Sequence, residues 1–442
     1  MQHTDTGIYS PFTFPCGTTV KNRLVKAAME ENMADANLQP DHSLLSLYRY
    51  WAHGGVGMII TGNVMVDYHA MTGPGSVVIP ANGNLQAFEK WAGVIKSGGA
   101  KAIMQLNHPG RQMPREIADR AWAPSAVPLN LGRYSKRFAE PVAMSCDQIH
   151  QVTHRFAHAA KRAKMAGFDG VQIHAAHGYL LSQFLSPLSN QRQDEWGGSL
   201  INRARLLLNV ACQVRATCGN DFVVMIKLNS GDFQRGGFTP QDAAEVVTAL
   251  ERLNIDAIEL SGGNYESPAM QGRGEHKAEL SDDAYFLSFA KAISETSRIP
   301  VMTTGGISLK TTAEKVVQDG CALVGMASAL AFTPYLPLKW QQKPDYKGVR
   351  PSCNWSDKTL AALVIMAKVR RQLRRLGNDL TTMRHPTSIW SLVLDTLHRR
   401  KMTRLYHRFM HSHADDNLMG MKHVTTRCAS SHAVSDAPSR DL

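Results

Sequence analysis

The chain has 442 residues, 43% of them hydrophobic, enough to fill the core of one large domain or two ordinary ones. No apolar run approaches the roughly 18 residues of a membrane span, and the opening MQHTDTGIYSPFTFPCG lacks the basic-then-apolar order of a secretory signal, so the expected compartment is the cytoplasm. The formal charge of +12 is concentrated: from Leu338 onward 19 Lys/Arg stand against 8 Asp/Glu, which leaves residues 1–337 close to neutral and argues against nucleic acid held there by bulk charge.

In chain order, short apolar runs alternate with helical patterns, the mark of parallel strands joined by crossover helices. Strands are expected at 24–28 (LVKAA), 57–61 (GMIIT), 101–106 (KAIMQL), 170–174 (GVQIH), 222–228 (FVVMIKL), 256–261 (DAIELS), 300–304 (PVMTT) and 321–325 (CALVG). Between them, DHSLLSLYRYWAHGG opens on Asp41 as N-cap and closes on glycine, and DQIHQVTHRFAHAAKRAKMAGF repeats that plan from Asp147. TPQDAAEVVTALERLN starts with Thr239 and Pro240. Eight such units predict one (β/α)8 TIM barrel of the α/β class. GGVGMI (54–59) precedes a strand and does not open a helix, so it is not a dinucleotide fingerprint.

In a closed barrel the chemistry collects at the C-terminal ends of the strands. Strand period two puts Gln172 and His174 on one face of GVQIH and Val171 and Ile173 on the other, so His174 is expected to point into the barrel mouth. Lys227 shares a face with Val223 and Met225 and should also point inward, where a buried ammonium needs an electron-rich partner. Gln105 ends the third strand in the same way. Glycines after the late strands, SGG at 261–263, TTGG at 303–306 and Gly325 after CALV, allow backbone N–H groups to approach a phosphate closely. Ordinary tight turns are the alternative.

His174 and His177 stand in VQIHAAHGYL (171–180) with no nearby cysteine or carboxylate to complete a metal set, so no metal site is expected. Seven cysteines without CxxC spacing argue against a disulfide framework, a zinc ribbon or an iron–sulfur cluster. Tyr179 either serves chemistry or fills space beside Leu180. His108 and Arg111 read as turn residues, and Trp196 as packing.

Three stretches, NRLVKAAM (22–29), QLNHPGRQ (105–112) and above all HAAHGYLLSQFLSPLSNQRQDEWGGSLINRARLL (174–207), resemble the old yellow enzyme family of FMN-dependent oxidoreductases. The likeness runs from about residue 8 to 337. It implies a barrel that holds FMN, takes a hydride from NADH or NADPH and passes it to an activated C=C bond of an enone-like, electrophilic small molecule. By position it implies that Ala28, Met29, Gly62 and Gln105 line the flavin ring and that Lys227 lies beside its N1 and C2 carbonyl. Gly263, Gly305, Gly306 and Gly325 fall in the phosphate loops. His174 and His177 match the pair that hydrogen-bonds the acceptor's carbonyl oxygen, and Tyr179 matches the proton donor.

The chain departs from that pattern in three places. Glu30 stands next to Met29 where relatives carry Thr or Cys beside the flavin, and an acidic group there would disfavour the reduced form. Ala327 and Ser328 replace the Gly-Arg pair near the phosphate, so another cation is needed. The chain has only Cys353 where an iron–sulfur branch carries a cysteine cluster, so electrons are expected to pass directly from the nicotinamide to FMN.

Residues 338–413 form a separate basic, helical extension. TLAALVIMAKVRRQLRRLG (359–377) and SIWSLVLDTLHRRKMTRLYHRFMH (388–411) each place apolar residues at helical spacing beside arginines. They are expected to pack on the barrel's flank with solvated basic faces, the alternative being contact with an anionic membrane surface or an acidic partner. Residues 414–442 lack periodicity and read as a disordered tail. Two other functions compete: an RNA-modifying FMN barrel of the dihydrouridine synthase kind, and a flavin-binding protein without turnover that acts through its tail.

Overall fold

A computed structural model describes residues 7–269 and 284–413. Eight parallel strands close into a barrel in chain order: β1 Leu24–Lys26, β2 Met58–Met65, β3 Lys101–Asn107, β4 Gly170–Ala175, β5 Val223–Asn229, β6 Ala257–Ser261, β7 Val301–Thr304 and β8 Leu323–Met326. All eight expected strands are present, and β2 runs on to Met65. The crossover helices are α1 His42–Ala52, α2 Gln86–Lys96, α3 Cys146–Met165, α4 Leu200–Cys218, α5 Pro240–Leu250, α6 Leu287–Thr296 and α7 Lys310–Gln318.

Local chemistry starts these helices. The Asp41 carboxylate accepts from the Leu44 N–H, and Thr239 and Asp242 cap α5 reciprocally, with Pro240 in the first turn. The cap of α3 is not Asp147. Ser145 accepts from the Gln148 N–H, and the Gln148 side chain accepts from the Ser145 N–H. The S-x-x-Q box begins two residues earlier, and Asp147 lies in the first turn, where its charge suits the positive helix end.

Strand alternation separates two cores. Val25, Met58, Ile60, Ile103, Val223, Met225, Met302 and Leu323 fill the barrel, and the hairpin Phe12–Thr13/Thr19–Val20 closes its bottom with Phe14 and Val20. The opposite faces of the strands pack under the helices. Above the apolar plug the inward positions turn polar: Gln105 faces Gln172, and Lys227 lies in register with both His174 and Glu259.

Past β8 a short helix, Ser328–Phe332, leads to α8 Leu336–Gln342, which runs across residue 337, and then to α9 Lys358–Gly377 and α10 Ser388–Ser412. The expectation of solvated basic faces holds for α10, where Arg400, Lys401 and Arg404 are exposed, but not for Arg370 and Arg374 of α9. α9 buries Ala361, Val364, Ala367, Leu373 and Leu376 and packs against α1. Arg370 and Arg374 are only 12% and 15% exposed and share Asp395 of α10, at 2.6 and 2.9 Å. The reason is carboxylates: Asp395 pairs with Arg370 and Arg374, and Glu30 with Arg370, over the barrel mouth, which a basic face alone does not reveal. The outer face of α10 does stay open, with Ile389, Trp390 and Leu397 exposed beside Arg400, Lys401 and Arg404. Among the described residues no helix is long and apolar enough to cross a membrane. Residues 414–442 lie outside the described part of the chain.

Candidate active site

β4 ends in the turn that builds the site. His174 is buried at the top of the strand, and its Nδ1 accepts from the Ala176 N–H, which places its own proton on Nε2. His177 follows with φ +60°, a left-handed backbone that costs a non-glycine residue about 1–2 kcal/mol and persists only where neighbours hold it. Three do: Asn229 at the end of β5 accepts from the His177 N–H at 3.0 Å, Gln112 donates to its carbonyl at 2.9 Å, and Ser261 at the end of β6 bonds Nε2 at 2.7 Å. The rings of His174, His177 and Tyr179 meet edge to face at about 5 Å. Burial, and then the Lys227 charge, hold both imidazoles well below the usual histidine range, so they are neutral at neutral pH.

Tyr179 is 6% exposed, and its hydroxyl lies 3.0 Å from that of Tyr265, in the loop after β6. Burial, then Tyr265 and Glu30, raises the Tyr179 phenol, and burial and then Glu30 raises that of Tyr265, which keeps both protonated. Arg111 pins the Tyr265 loop by pairing with Glu266 at 2.7 Å, so the turn residue of QLNHPGR holds two loops together. His108 is buried, pushed down to about 3 by burial, and accepts from the Gly110 N–H. Trp196 is packed at 1% exposure.

Lys227 points inward as its strand face predicts, and Glu259 meets it at 2.8 Å. Gln172 bridges Glu259 to Gln105, at 2.7 Å on each side. The electron-rich partner demanded by burial is therefore supplied within the protein. Strand period two from Ala257 puts Glu259 and Ser261 on the Lys227 side, a signal present in DAIELS but not taken from it. Tyr265 carries no local signal beyond standing just past a strand-end glycine pair.

Gly62 lies in β2 with its N–H 2.8 Å from the Tyr48 hydroxyl and 3.2 Å from Glu31 Oε1. A Cβ there would stand 1.7 Å from Glu31 Oε2 and 2.4 Å from the Met29 carbonyl oxygen, so only glycine fits. Beneath it Lys26 is fully buried against Trp51 and Tyr48, donates to the Ile60 carbonyl and lies 3.8 Å from Glu31. Burial pushes Lys26 down to about 8 and Glu31 up, drawing the pair toward its neutral form. Ala28 and Met29 continue from β1 into this rim, half-buried and buried. Glu30 lies beside them and pairs with Arg370 of α9 at 3.5 Å.

Gly263, Gly305 and Gly306 follow β6 and β7 with φ of +80°, +126° and +76°. Gly325 lies within β8 and not in a loop; it faces Thr304 and Met302 inside the barrel. Near the late loops Arg350 donates to the Gly306 carbonyl at 2.8 Å, a cation at the turn where Ala327 and Ser328 offer none.

A flavin mononucleotide fits these residues on one further observation. The inward-facing Asn107 amide at the end of β3 and the Thr304 hydroxyl at the end of β7 are buried with no hydrogen-bond partner. Unpaired buried polar groups cost about 1–3 kcal/mol each, so the mouth calls for a ligand with polar edges.

Comparison with known proteins agrees with this geometry. The sequence pattern of the NADH:flavin oxidoreductase / NADH oxidase family matches residues 7–345. The NADH-dependent flavin oxidoreductase iliE of Hypocrea jecorina (strain QM6a) is 35% identical over 352 residues, 74% of this chain and 87% of that protein. Its namesake in Neonectria sp. (strain DH2) is 37% identical over 377 residues, 80% of this chain, but this chain spans only 49% of that relative's length. The old yellow enzyme homologue from Zymomonas mobilis superposes with a TM-score of 0.66 at 24% identity, over 78% of this chain and 95% of that one, a likeness of fold. The chain belongs to the NADH:flavin oxidoreductase / NADH oxidase family.

Proposed function

We propose that this protein is an FMN-dependent oxidoreductase that reduces an activated C=C bond of an enone-like small molecule. FMN, when bound, supplies the chemistry of accepting a hydride from NADH or NADPH and, after the nicotinamide leaves, giving one to the acceptor's β-carbon. Ala28, Met29, Gly62 and Gln105 would hold its ring, Lys227 its polar edge, and Gly263, Gly305 and Gly306 its phosphate, with Arg350 as the nearby cation.

The observation that carries this reading is the cluster of neutral His174 and His177 beside protonated Tyr179 at one rim. Neutral imidazoles donate a hydrogen bond without carrying a proton away. His174 Nε2–H is one donor. A Ser261 hydroxyl that donates to His177 Nε2 leaves the His177 proton on Nδ1 as the second. Two donors on the acceptor's carbonyl oxygen stabilise the negative charge that builds there as the β-carbon is reduced. Tyr179 then delivers a proton to the α-carbon, and Tyr265 at 3.0 Å is placed to return one to it.

The experiment is to measure the two half-reactions of His177→Ala separately under anaerobic rapid mixing. Loss confined largely to enone reduction supports the assignment, and equal loss in the nicotinamide step contradicts it. Arg370 and Arg374 of α9 are engaged with Asp395 over the mouth and so are not open to an RNA substrate there.

A further inference from the structure

The barrel mouth opens into a cavity of about 540 Å³ whose inner end is His177, Tyr179 and Tyr265 and whose outer end is made by the C-terminal helices. Its size falls within the range of pockets that enclose drug-sized ligands. Leu363 and Met366 of α9 and Met402 of α10 line that outer end. We propose that the C-terminal helical pair is the outer wall of the acceptor pocket and selects acceptors with an uncharged, elongated apolar body. This rests on the reading of the His177 and Tyr179 end as the reaction site.

Three observations carry it. The helices are fastened to the rim at several loops: Arg370 to Glu30 after β1, His398 Nε2 to the Asn32 carbonyl at 2.8 Å, and Arg399 to Glu116 after β3 at 2.5 Å. Tyr406 adds a bond to the Tyr68 carbonyl after β2 at 3.1 Å. A wall tied to the loops of three barrel strands is a fixed part of the mouth.

Charge decides the class of ligand. The ionic groups at the α9–α10 end of the cavity and at Glu266 are matched within the protein: Arg370 and Arg374 against Glu30 and Asp395, Arg399 against Glu116, and Glu266 against Arg111. Arg137, at the exposed outer edge, lies over the Tyr134 ring. At the wall made by α9 and α10 an anionic group would meet no uncompensated buried cation, whereas a neutral apolar body leaves the pairs intact. Between the charged posts, Leu363, Met366 and Met402 present aliphatic and thioether surface, and methionine adapts to irregular apolar shapes.

The test uses the full chain loaded with FMN, in the oxidised state, with equilibrium binding read by calorimetry. The probes are cyclohexenone, which is confined to the inner end, and a straight-chain dodecenone, whose tail reaches the wall. In the unmodified protein the dodecenone is expected to bind more tightly by about tenfold or more. Met366→Trp fills the outer end and should remove that preference; Leu363→Trp, on the same helix face, repeats the test if the first variant folds poorly. A preference that survives both substitutions overturns the proposal, as does a loss of affinity for tetrahydroNAD, a nicotinamide analogue that donates no hydride, in step with that of the dodecenone. Wall-dependent binding of the dodecenone without reduction would leave the pocket assignment standing and count against the proposed reaction.

Discussion

His177 Nε2 lies 2.7 Å from the Ser261 hydroxyl, a contact that joins the turn after β4 to the end of β6. It holds a left-handed histidine in place and, on the proposed reading, leaves Nδ1 as the ring nitrogen turned to the acceptor. Ser261→Ala leaves that ring free to turn. Misplacing one donor can cost up to about 100-fold, so we expect the acceptor step to slow by about tenfold to a hundredfold. The nicotinamide step should change less. Rapid-mixing traces of the two steps check this, and a uniform loss would count against a positioning role.

The two tyrosines should separate in the same measurement. Tyr179→Phe removes the proton donor and is expected to slow acceptor reduction by about 100-fold or more. Tyr265→Phe keeps the donor but removes its neighbour at 3.0 Å, so a smaller loss is expected. A larger loss in Tyr265→Phe than in Tyr179→Phe would mean that Tyr265, not Tyr179, delivers the proton.

The Arg370 network makes a prediction about stability. Burial alone would raise the Asp395 carboxyl, but Arg370 and Arg374 outweigh it and pull it down to about 2. Arg370→Met leaves Glu30 and half of Asp395's charge uncompensated, and breaking a buried pair from one side costs about 3 kcal/mol. Adding Glu30→Gln should recover part of that loss. Denaturant midpoints of the two variants measure it; no recovery would show that Glu30 and Arg370 do not interact.

Stability should also fall in mild acid. His108, His174 and His177 have folded-state values below the ordinary 6.5, burial being the first cause for each. The unfolded chain therefore binds protons that the folded chain refuses, and stability is lost as pH drops below about 6.5 toward the folded values. Each histidine contributes a slope of about 1.4 kcal/mol per pH unit in that window. Unfolding curves between pH 7 and pH 5 check it, and a flat profile would mean these imidazoles take up protons in the fold.

Gly62→Ala should be poorly tolerated. The added carbon meets the Glu31 carboxylate, held by Tyr48 at 2.5 Å, and the Met29 backbone, neither of which can give way cheaply. Overpacking of this kind costs about 1–3 kcal/mol. Thermal melting and flavin content of the purified variant report it.

Much of this was legible in the chain because periodicity survives folding. Alternation in GVQIH and FVVMIKL aims His174 and Lys227 inward, and the structure places them side by side in register. The cap of α3 was missed because two polar starts, Ser145 and Asp147, compete within three residues and only the reciprocal Gln148 distinguishes them. Arg370 was illegible for a different reason. Its partner Glu30 lies 340 positions away, and a basic amphipathic helix looks the same in sequence whether its arginines meet water or a distant carboxylate. Lys26 beneath Gly62 shows the same limit, since a lysine in a three-residue strand gives no sign that two aromatic rings and a carboxylate await it.

On the proposed reading the barrel mouth binds a flavin that a nicotinamide reduces. The most direct test is the visible spectrum of the purified protein followed by anaerobic titration with NADH and with NADPH. The bound flavin should bleach stoichiometrically with at least one of the two and recover its colour on adding an enone. A protein that binds no flavin when FMN is supplied, or whose bound flavin neither nucleotide bleaches, would contradict it.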